Sequence, residues 1–337
     1  MDSFEDIIGQ DEISDYFRRT ISRGKVSHAL ILNGERHTGK EYMAKIYAAT
    51  LQCEKGGLKP CGECRSCKMA ASDNHPDIIT VNHENRNSIG VDDIRQKIND
   101  DIILKPYYSA RKIYIVPEAS IMTEEAQNAL LKTLEEPPAY ALIILLVDNK
   151  ERMLSTILSR CVTLNIRPID AEKIRDYLKA GKSIRGREAD VAVAFARGSI
   201  GRAEMLASSE EYIALMNSVT ELLSHIKDMS ISEELDFIKK IADNKETAVD
   251  HLDIMEAWYR DILVYKSTQK PGMLMFLNEQ SQVARAARNA EYIDISAVLN
   301  EIEAARDKLN ANVNAALVFE LLLDTMKEKA DSGSPRE

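Results

Sequence analysis

His28-Ala-Leu-Ile-Leu-Asn-Gly-Glu-Arg-His-Thr-Gly-Lys-Glu41 decides the fold class of this 337-residue chain. The apolar run His28–Asn33 has strand length, and Gly34-x4-Gly39-Lys40 then opens a helical pattern over Lys40–Gln52. Strand, glycine loop, lysine and helix in that order are the context of a phosphate-binding loop. In a working loop, backbone N–H groups and the helix N-terminus cradle phosphates while the lysine meets the β and γ oxygens. The next position needs Ser or Thr, whose hydroxyl ligates Mg²⁺, and here it is Glu41. That exchange adds a negative charge beside a triphosphate and removes a metal ligand. A strand-to-helix turn kept for packing is the plainer alternative for residues 34–41.

Outward from the loop, apolar runs alternate with amphipathic segments through the first 165 residues or so, the mark of a parallel α/β sheet. Further strands are expected at Asp77–Asn82, Lys112–Val116, Ala141–Val147 and Val162–Ile166. Helices are expected at Asp11–Arg23, Val91–Asp101, Glu124–Glu135 and Glu151–Leu158, with Pro137-Pro138 stopping the third of these. The strand Lys112–Val116 is where a second Mg²⁺ site would end in an aspartate, followed by a glutamate to polarise water. Pro117 and Glu118 stand there instead. Loss at both metal positions argues against phosphoryl transfer by this chain alone, since that chemistry relies on the ion to neutralise charge.

From about Pro168 the strand signals fade. Short helices are expected over 168–207, with a turn at Gly198-Ser-Ile-Gly201, and the pattern is helical throughout 208–330. Leu252, Met255, Trp258, Tyr259, Ile262 and Leu263 keep the spacing of one buried helical stripe. Residues 331–337 are polar and read as a flexible tail.

Four of the five cysteines fall at Cys53, Cys61, Cys64 and Cys67. Three lie at x2 spacing, where a chain folds around one tetrahedral ion, so structural Zn²⁺ is expected. Four sulfurs leave no open position for catalysis. Lys55, Lys59, Arg65 and Lys68 are placed to offset the thiolate charge. Free thiols on a loop are the plainer alternative.

A net charge of −10 argues against a broad nonspecific DNA-binding surface on this chain alone. No apolar run approaches the roughly 20 residues a bilayer span needs. The acidic start, Met1-Asp-Ser-Phe-Glu-Asp6, lacks the basic and apolar regions of a signal peptide, so a cytoplasmic protein is expected.

Two further stretches, Leu130-Leu-Lys-Thr-Leu-Glu-Glu-Pro-Pro138 and Ser159-Arg160-Cys161, join the altered phosphate loop in a set that resembles the clamp-loader branch of the AAA+ ATPases. The match is dense over about residues 4–205 and returns at Trp258–Asp261 and at 312–323. The resemblance implies an AAA+ α/β domain over 1–167 with the zinc module inserted at 53–67, a helical lid over 168–207, and an all-α collar over 208–330. It implies that Arg160 crosses a subunit interface to touch the γ-phosphate bound next door. A guanidinium suits this because it is always charged and offers planar paired donors. Gly34, Gly39 and Lys40 would form a degenerate nucleotide site, with Arg202 in the second-sensor position of the lid and Ile7-Ile-Gly-Gln10 near the adenine pocket.

The implied role is that of a stator-like accessory subunit of a DNA polymerase III holoenzyme, not an active ATPase by itself. Its partners would be gamma/tau-type motor subunits, a delta subunit, and through the assembled ring the sliding clamp and primer–template DNA. An ATP-hydrolysing motor subunit of the same loader is the alternative. A free-standing nucleic-acid-binding zinc protein is a third reading, opposed by the acidic balance. Glu135 and Glu136, adjacent on a helix, point about 100° apart and read as solvated rather than as an acid–base pair. His28 and His37 lack a matching ligand set and read as structural, Trp258 reads as core, and Cys161 reads as a packing residue.

Overall fold

The chain, seen in a computed structural model, is described over residues 2–83, 88–181, 187–243, 245–276, 279–311 and 313–331. Of the expected tail only Asp331 lies within these residues, and it ends the last helix; 332–337 lie outside them. The chain divides into two compact units, residues 1–183 with 196–204 and residues 184–195 with 205–337.

In the first unit the five expected strands form one sheet: β1 (Ala29–Asn33), β2 (Ile78–Thr80), β3 (Lys112–Val116), β4 (Ala141–Val147) and β5 (Val162–Asn165), in the order β2-β3-β4-β1-β5. Every pairing is parallel. All seven residues of β4 are buried, which is why that strand reads as an unbroken apolar run rather than an alternating one. Alternate positions along each strand serve opposite layers. Ile31, Tyr114, Val116, Ile143 and Leu145 pack in one core; Leu30, Leu32, Ile113, Ile115, Leu142 and Ile144 pack in the other. Each such side chain contributes roughly 1.5–3 kcal/mol on full burial, so both faces must be covered.

The covering helices are α1 (Asp11–Ser22), α2 (Lys40–Leu51), α3 (Arg65–Ala71), α4 (Val91–Ile94), α5 (Glu124–Glu135), α6 (Ser155–Leu158) and α7 (Ala171–Gly181). The helix α5 starts where the Thr123 hydroxyl accepts the Ala126 N–H at 3.2 Å, with Glu124 and Glu125 favourably placed in its first turn. It buries Ala126, Leu130 and Leu134 and stops before the two prolines.

Three elements differ from the expected pattern. The helix expected over Val91–Asp101 is α-helical only to Ile94 and continues as a π turn over Arg95–Asn99. The helix expected over Glu151–Leu158 is broken into a 3₁₀ turn, Lys150–Arg152, and the short α6. The cause is Gln127 on α5. Its buried amide donates to the Arg152 carbonyl at 3.1 Å and accepts the Leu154 N–H at 2.8 Å, taking both groups out of a helical ladder. The third is α3, for which the sequence pattern gives no expectation; the Cys64 sulfur caps it by accepting the Cys67 N–H at 3.3 Å.

The second unit is helical: α8 (Arg187–Phe195), the end of α9 (Ile200–Ser208), α10 (Glu210–Ser224), α11 (Ile231–Asp243), α12 (Lys245–Thr268), α13 (Gln280–Asn289), α14 (Tyr292–Asn310) and α15 (Ala315–Asp331). Of the residues expected to form a lid, α7 and 196–204 group with the sheet while α8 groups with this helical unit. The central α12 buries Leu252, Met255, Trp258 and Ile262, and packs against α10, α13 and α14. Its buried Asp253 is neutralised by Arg306 of α14 at 2.6 Å, and the same guanidinium reaches Glu256 at 2.8 Å. No helix among the described residues is long and apolar enough to cross a membrane.

His251 on α12 is wedged between the rings of Phe237 and Phe319 and donates from Nδ1 to the Thr247 carbonyl at 2.7 Å. Burial holds its pKa below the ordinary value. The fold therefore keeps the ring neutral, while the unfolded chain takes up a proton below about pH 6.5. Stability is complete above that pH and is lost as pH falls toward the depressed folded value. Thermal unfolding at pH 5 and pH 7.5 is expected to show this loss, and His251→Gln is expected to reduce it at some cost in stability at pH 7.5.

Candidate functional site

The carboxyl ends of β1, β4 and β3 lie side by side, the place where parallel α/β sheets bind ligands. The register pairs Asn33 with Val147, and the Gly34 N–H extends the ladder by donating to the Val147 carbonyl at 3.0 Å. Gly34 has no room for a side chain, since a Cβ there would lie 2.8 Å from Cβ of Ile166. Gly39, at φ 81°, caps α2 in the left-handed region that glycine enters without strain. The loop is thus built as the glycine spacing requires.

Its lysine, however, is occupied from within. Lys40 is buried, and its ammonium donates to the Glu35 carbonyl at 2.8 Å, to the Gly34 carbonyl, and to Asp148 Oδ1 at 2.7 Å. An ammonium has three N–H donors, and all three have partners here. Arg36 braces the other Asp148 oxygen at 3.4 Å and reaches Glu118 at the same distance. Asp148 is not among the residues the sequence singles out. Its signal is its place as the first residue after the fully buried β4, beside the loop-bearing strand.

Glu41 turns away from the loop lysine to pair with Lys45 at 3.0 Å, one helical turn on. Lys45 also meets Asp73 at 3.0 Å. Glu118, at φ 47°, is held by Arg36 and lies 3.6 Å from the His83 imidazole. Neither altered position offers a hydroxyl or an aspartate where Mg²⁺ would need one.

Beside the loop is a cleft of about 1010 Å³, lined by Ile7, Gln10, Lys40, Asp148, Gly201 and Glu204 among others. The Gln10 amide clamps the N-terminal segment to the strand exit, donating to the Arg167 carbonyl at 2.6 Å and accepting its N–H at 3.1 Å. The Gly198–Gly201 turn sits directly on the phosphate loop. Ser199 donates its hydroxyl to the His37 carbonyl at 2.6 Å, and a Cβ on Gly201 would come within 2.5 Å of that same oxygen. Burial, then the positive charges of Arg202, Arg36 and Lys40, holds the His37 imidazole below its ordinary pKa. The Arg202 charge is therefore close to the loop.

Arg160 follows α6 at the surface, its side chain about one-third exposed. One guanidinium nitrogen donates to the Thr156 carbonyl at 2.9 Å and to Ser159 Oγ at 3.2 Å. The other meets Glu135 at 2.7 Å. The fold thus joins the two motifs, 130–138 and 159–161, through one ion pair. Glu135 is not simply solvated, as its position on the helix suggests; it carries the partner of Arg160. Cys161 packs at the edge of the sheet core, and burial pushes its thiol up to about 12.

Cys53, Cys61, Cys64 and Cys67 converge, all four sulfurs lying within 4.8 Å of one another. A tetrahedral ion with Zn–S bonds near 2.3 Å sets its sulfurs about 3.8 Å apart, and Cys61 and Cys67 are 3.9 Å apart. The set fits a metal ion such as zinc. Backbone N–H groups donate to the sulfurs of Cys61 and Cys64 at 3.3 Å, which favours thiolates. The Cys61 thiol is lowered to about 6, chiefly by the Cys64 N–H. The nearby charges are arranged differently from the expected cationic shell: Lys55 pairs with Glu63 at 2.5 Å, and Arg65 lies over the Tyr108 ring. Ser66 ties the module to the sheet, donating to the Gln52 carbonyl at 2.6 Å and sharing a hydrogen bond with His75 at 3.0 Å.

Residues 9–170 match the family described as DNA polymerase III, delta subunit. The chain is 28% identical over 328 residues to DNA polymerase III subunit delta' of Bacillus subtilis, covering 95% of this chain and 96% of that one. It is 27% identical over 292 residues to the tau subunit of the same organism, and spans 51% of that protein's length. It is 33% identical over 177 residues to the tau/gamma subunit of Haemophilus influenzae, a quarter of whose length it spans. Among solved structures, a gamma subunit-related protein of Thermotoga maritima shares the fold, with a TM-score of 0.51, 22% identity, and coverage of 94% of this chain and 99% of that one. The parallel sheet with flanking helices, followed by a helical part, is thus a fold shared with that protein, and the resemblance to delta' runs almost end to end.

Proposed function

We propose that this chain, a relative of the DNA polymerase III clamp-loader subunits, is the delta'-type accessory member of the loader. It would act as a stator that hydrolyses no ATP itself and presents Arg160 to the ATP of a neighbouring subunit. The observation that carries the reading is the state of Lys40, whose three N–H donors are satisfied by Gly34, Glu35 and Asp148. To meet a phosphate, the lysine would have to leave a carboxylate and two carbonyls. With Glu41 and Pro117 at the metal positions, little Mg²⁺ binding would compensate that loss. The contact of Ser199 and Gly201 with the His37 carbonyl also supports a loop braced by its own chain.

Arg160 has the complementary character. It is charged, exposed in part, and set at the end of a short helix rather than inside a cleft. In the assembled loader its target would be the γ-phosphate held by a gamma/tau-type subunit. The delta subunit, the sliding clamp and primer–template DNA would be further partners through the complex. The net charge of −10 supports only a secondary role for direct DNA contact. The cysteine cluster would hold structural Zn²⁺.

Calorimetry of Mg-ATP against the purified chain tests the stator reading. No heat of binding is expected up to about 1 mM ATP, a concentration that would reveal any affinity stronger than about −4 kcal/mol. Micromolar binding would restore the ATP-hydrolysing motor subunit as the better reading.

A further inference from the structure

The pairing of Arg160 with Glu135 has a use beyond stability, and it rests on the trans-arginine reading just given. A partly exposed arginine carries rotamer entropy that must be lost when its guanidinium meets a phosphate in one geometry. Here three contacts restrict it in advance. Thr156 of α6 and Ser159, the residue that ends it, supply neutral acceptors. Glu135 supplies the charged one, at 2.7 Å. A guanidinium has five N–H donors, and these three contacts leave two for a phosphate.

The carboxylate is itself on a firm base. Leu134 beside it is 2% exposed, and the nearby Thr133 hydroxyl donates to Asn99 Oδ1 at 2.9 Å. At the other end of α5, Gln127 bonds the segment that leads into α6. The two elements are therefore bridged twice. The Gln127 bridge is buried and organises the fold. The Glu135 bridge is half exposed, and such a pair contributes little to stability. Its larger effect is on where the guanidinium points.

We infer that Glu135 is a positioning residue, holding Arg160 in the orientation from which it meets the phosphate of a neighbouring subunit. The test is ATP turnover by the loader reconstituted with tau-type subunits, the clamp and primed DNA, using Glu135→Ala, Glu135→Gln, Arg160→Ala and the Glu135→Ala/Arg160→Ala double variant. Glu135→Ala is expected to lower kcat about three- to tenfold while KM for ATP stays within about twofold, since orientation matters most in the transition state. Glu135→Gln, which keeps one acceptor oxygen but no charge, is expected to fall between Glu135→Ala and the parent. The double variant is expected to match Arg160→Ala, because Glu135 acts through that arginine. Thermal unfolding of each Glu135 variant should stay within about 2 °C of the parent.

Unchanged or raised turnover for Glu135→Ala, beside a lowered Arg160→Ala rate, would overturn this inference and leave the arginine reading standing. A further loss in the double variant would also overturn it, by showing that Glu135 acts elsewhere. Parental turnover in Arg160→Ala would remove the arginine reading and this inference together.

Discussion

An Arg160→Ala chain, assembled with tau-type subunits, is expected to fold as the parent does and to lose at least about 100-fold in ATP hydrolysis at the site it adjoins. Arginine fingers contribute roughly 10³–10⁵ in the best-studied phosphoryl transfers, and the lower figure allows for residual catalysis by the neighbour's own residues. The isolated chain has little to lose on substitution. Arg160 makes one ion pair and two hydrogen bonds, all at the surface, and such contacts are worth at most about 1 kcal/mol. Arg160→Lys is expected to recover little activity, because an ammonium restores the charge without the planar fork. Steady-state ATPase rates of the assembled ring, beside melting curves of each free chain, separate the two effects. A ring that turns over ATP at the parental rate with Arg160→Ala would remove the trans assignment.

Loss of the metal is expected to have the second large effect, this time on the chain itself. Elemental analysis should find about one zinc per chain in the parent, as four converging sulfurs imply. Cys64→Ser should abolish it, because the exchange removes one of the four converging sulfurs while leaving a hydroxyl that can still cap α3. The damage should spread past the loop. Ser66, at the second position of α3, is bonded to Gln52 and His75. Gln52 in turn donates to the Arg111 carbonyl at 2.7 Å, next to the first residue of β3. We expect a loss of about 3–5 kcal/mol, on the order of 10 °C in melting temperature for a unit of this size, and rapid proteolysis within 53–72. Chelation of the parent should reproduce both changes, and readdition of Zn²⁺ should reverse them. A chelated parent that melts unchanged would mean that the cysteines hold no structural ion.

Much of the site is legible along the chain. The four cysteines announce themselves by spacing, and they converge as that spacing requires. The glycine loop lies between β1 and α2, where its strand-loop-helix context puts it. Three residues are not legible in this way, for distinct reasons. Asp148 looks like an ordinary loop acid, because nothing near it in sequence marks Lys40 as its partner. Glu135 looks solvated, because helical geometry describes its neighbours on the helix and not an arginine from the next element. Gln127 looks like one polar position on an amphipathic helix, yet its buried amide breaks the helix expected at Glu151–Leu158.

What the sequence by itself determined about this protein is therefore its local chemistry and its periodic elements: the strands, the cysteine spacing suited to a metal ion, the absence of both Mg²⁺ ligands, and the motifs shared with clamp-loader subunits. Apolar periodicity and short-range spacing act over a few residues and can be read along the chain. Only the tertiary structure decided which polar group answers which. Lys40 meets Asp148 across 108 residues, and Ser199 meets His37 across 162. Those choices follow from strand register and from which surfaces pack together, and that information resides in the assembled fold rather than in any local window.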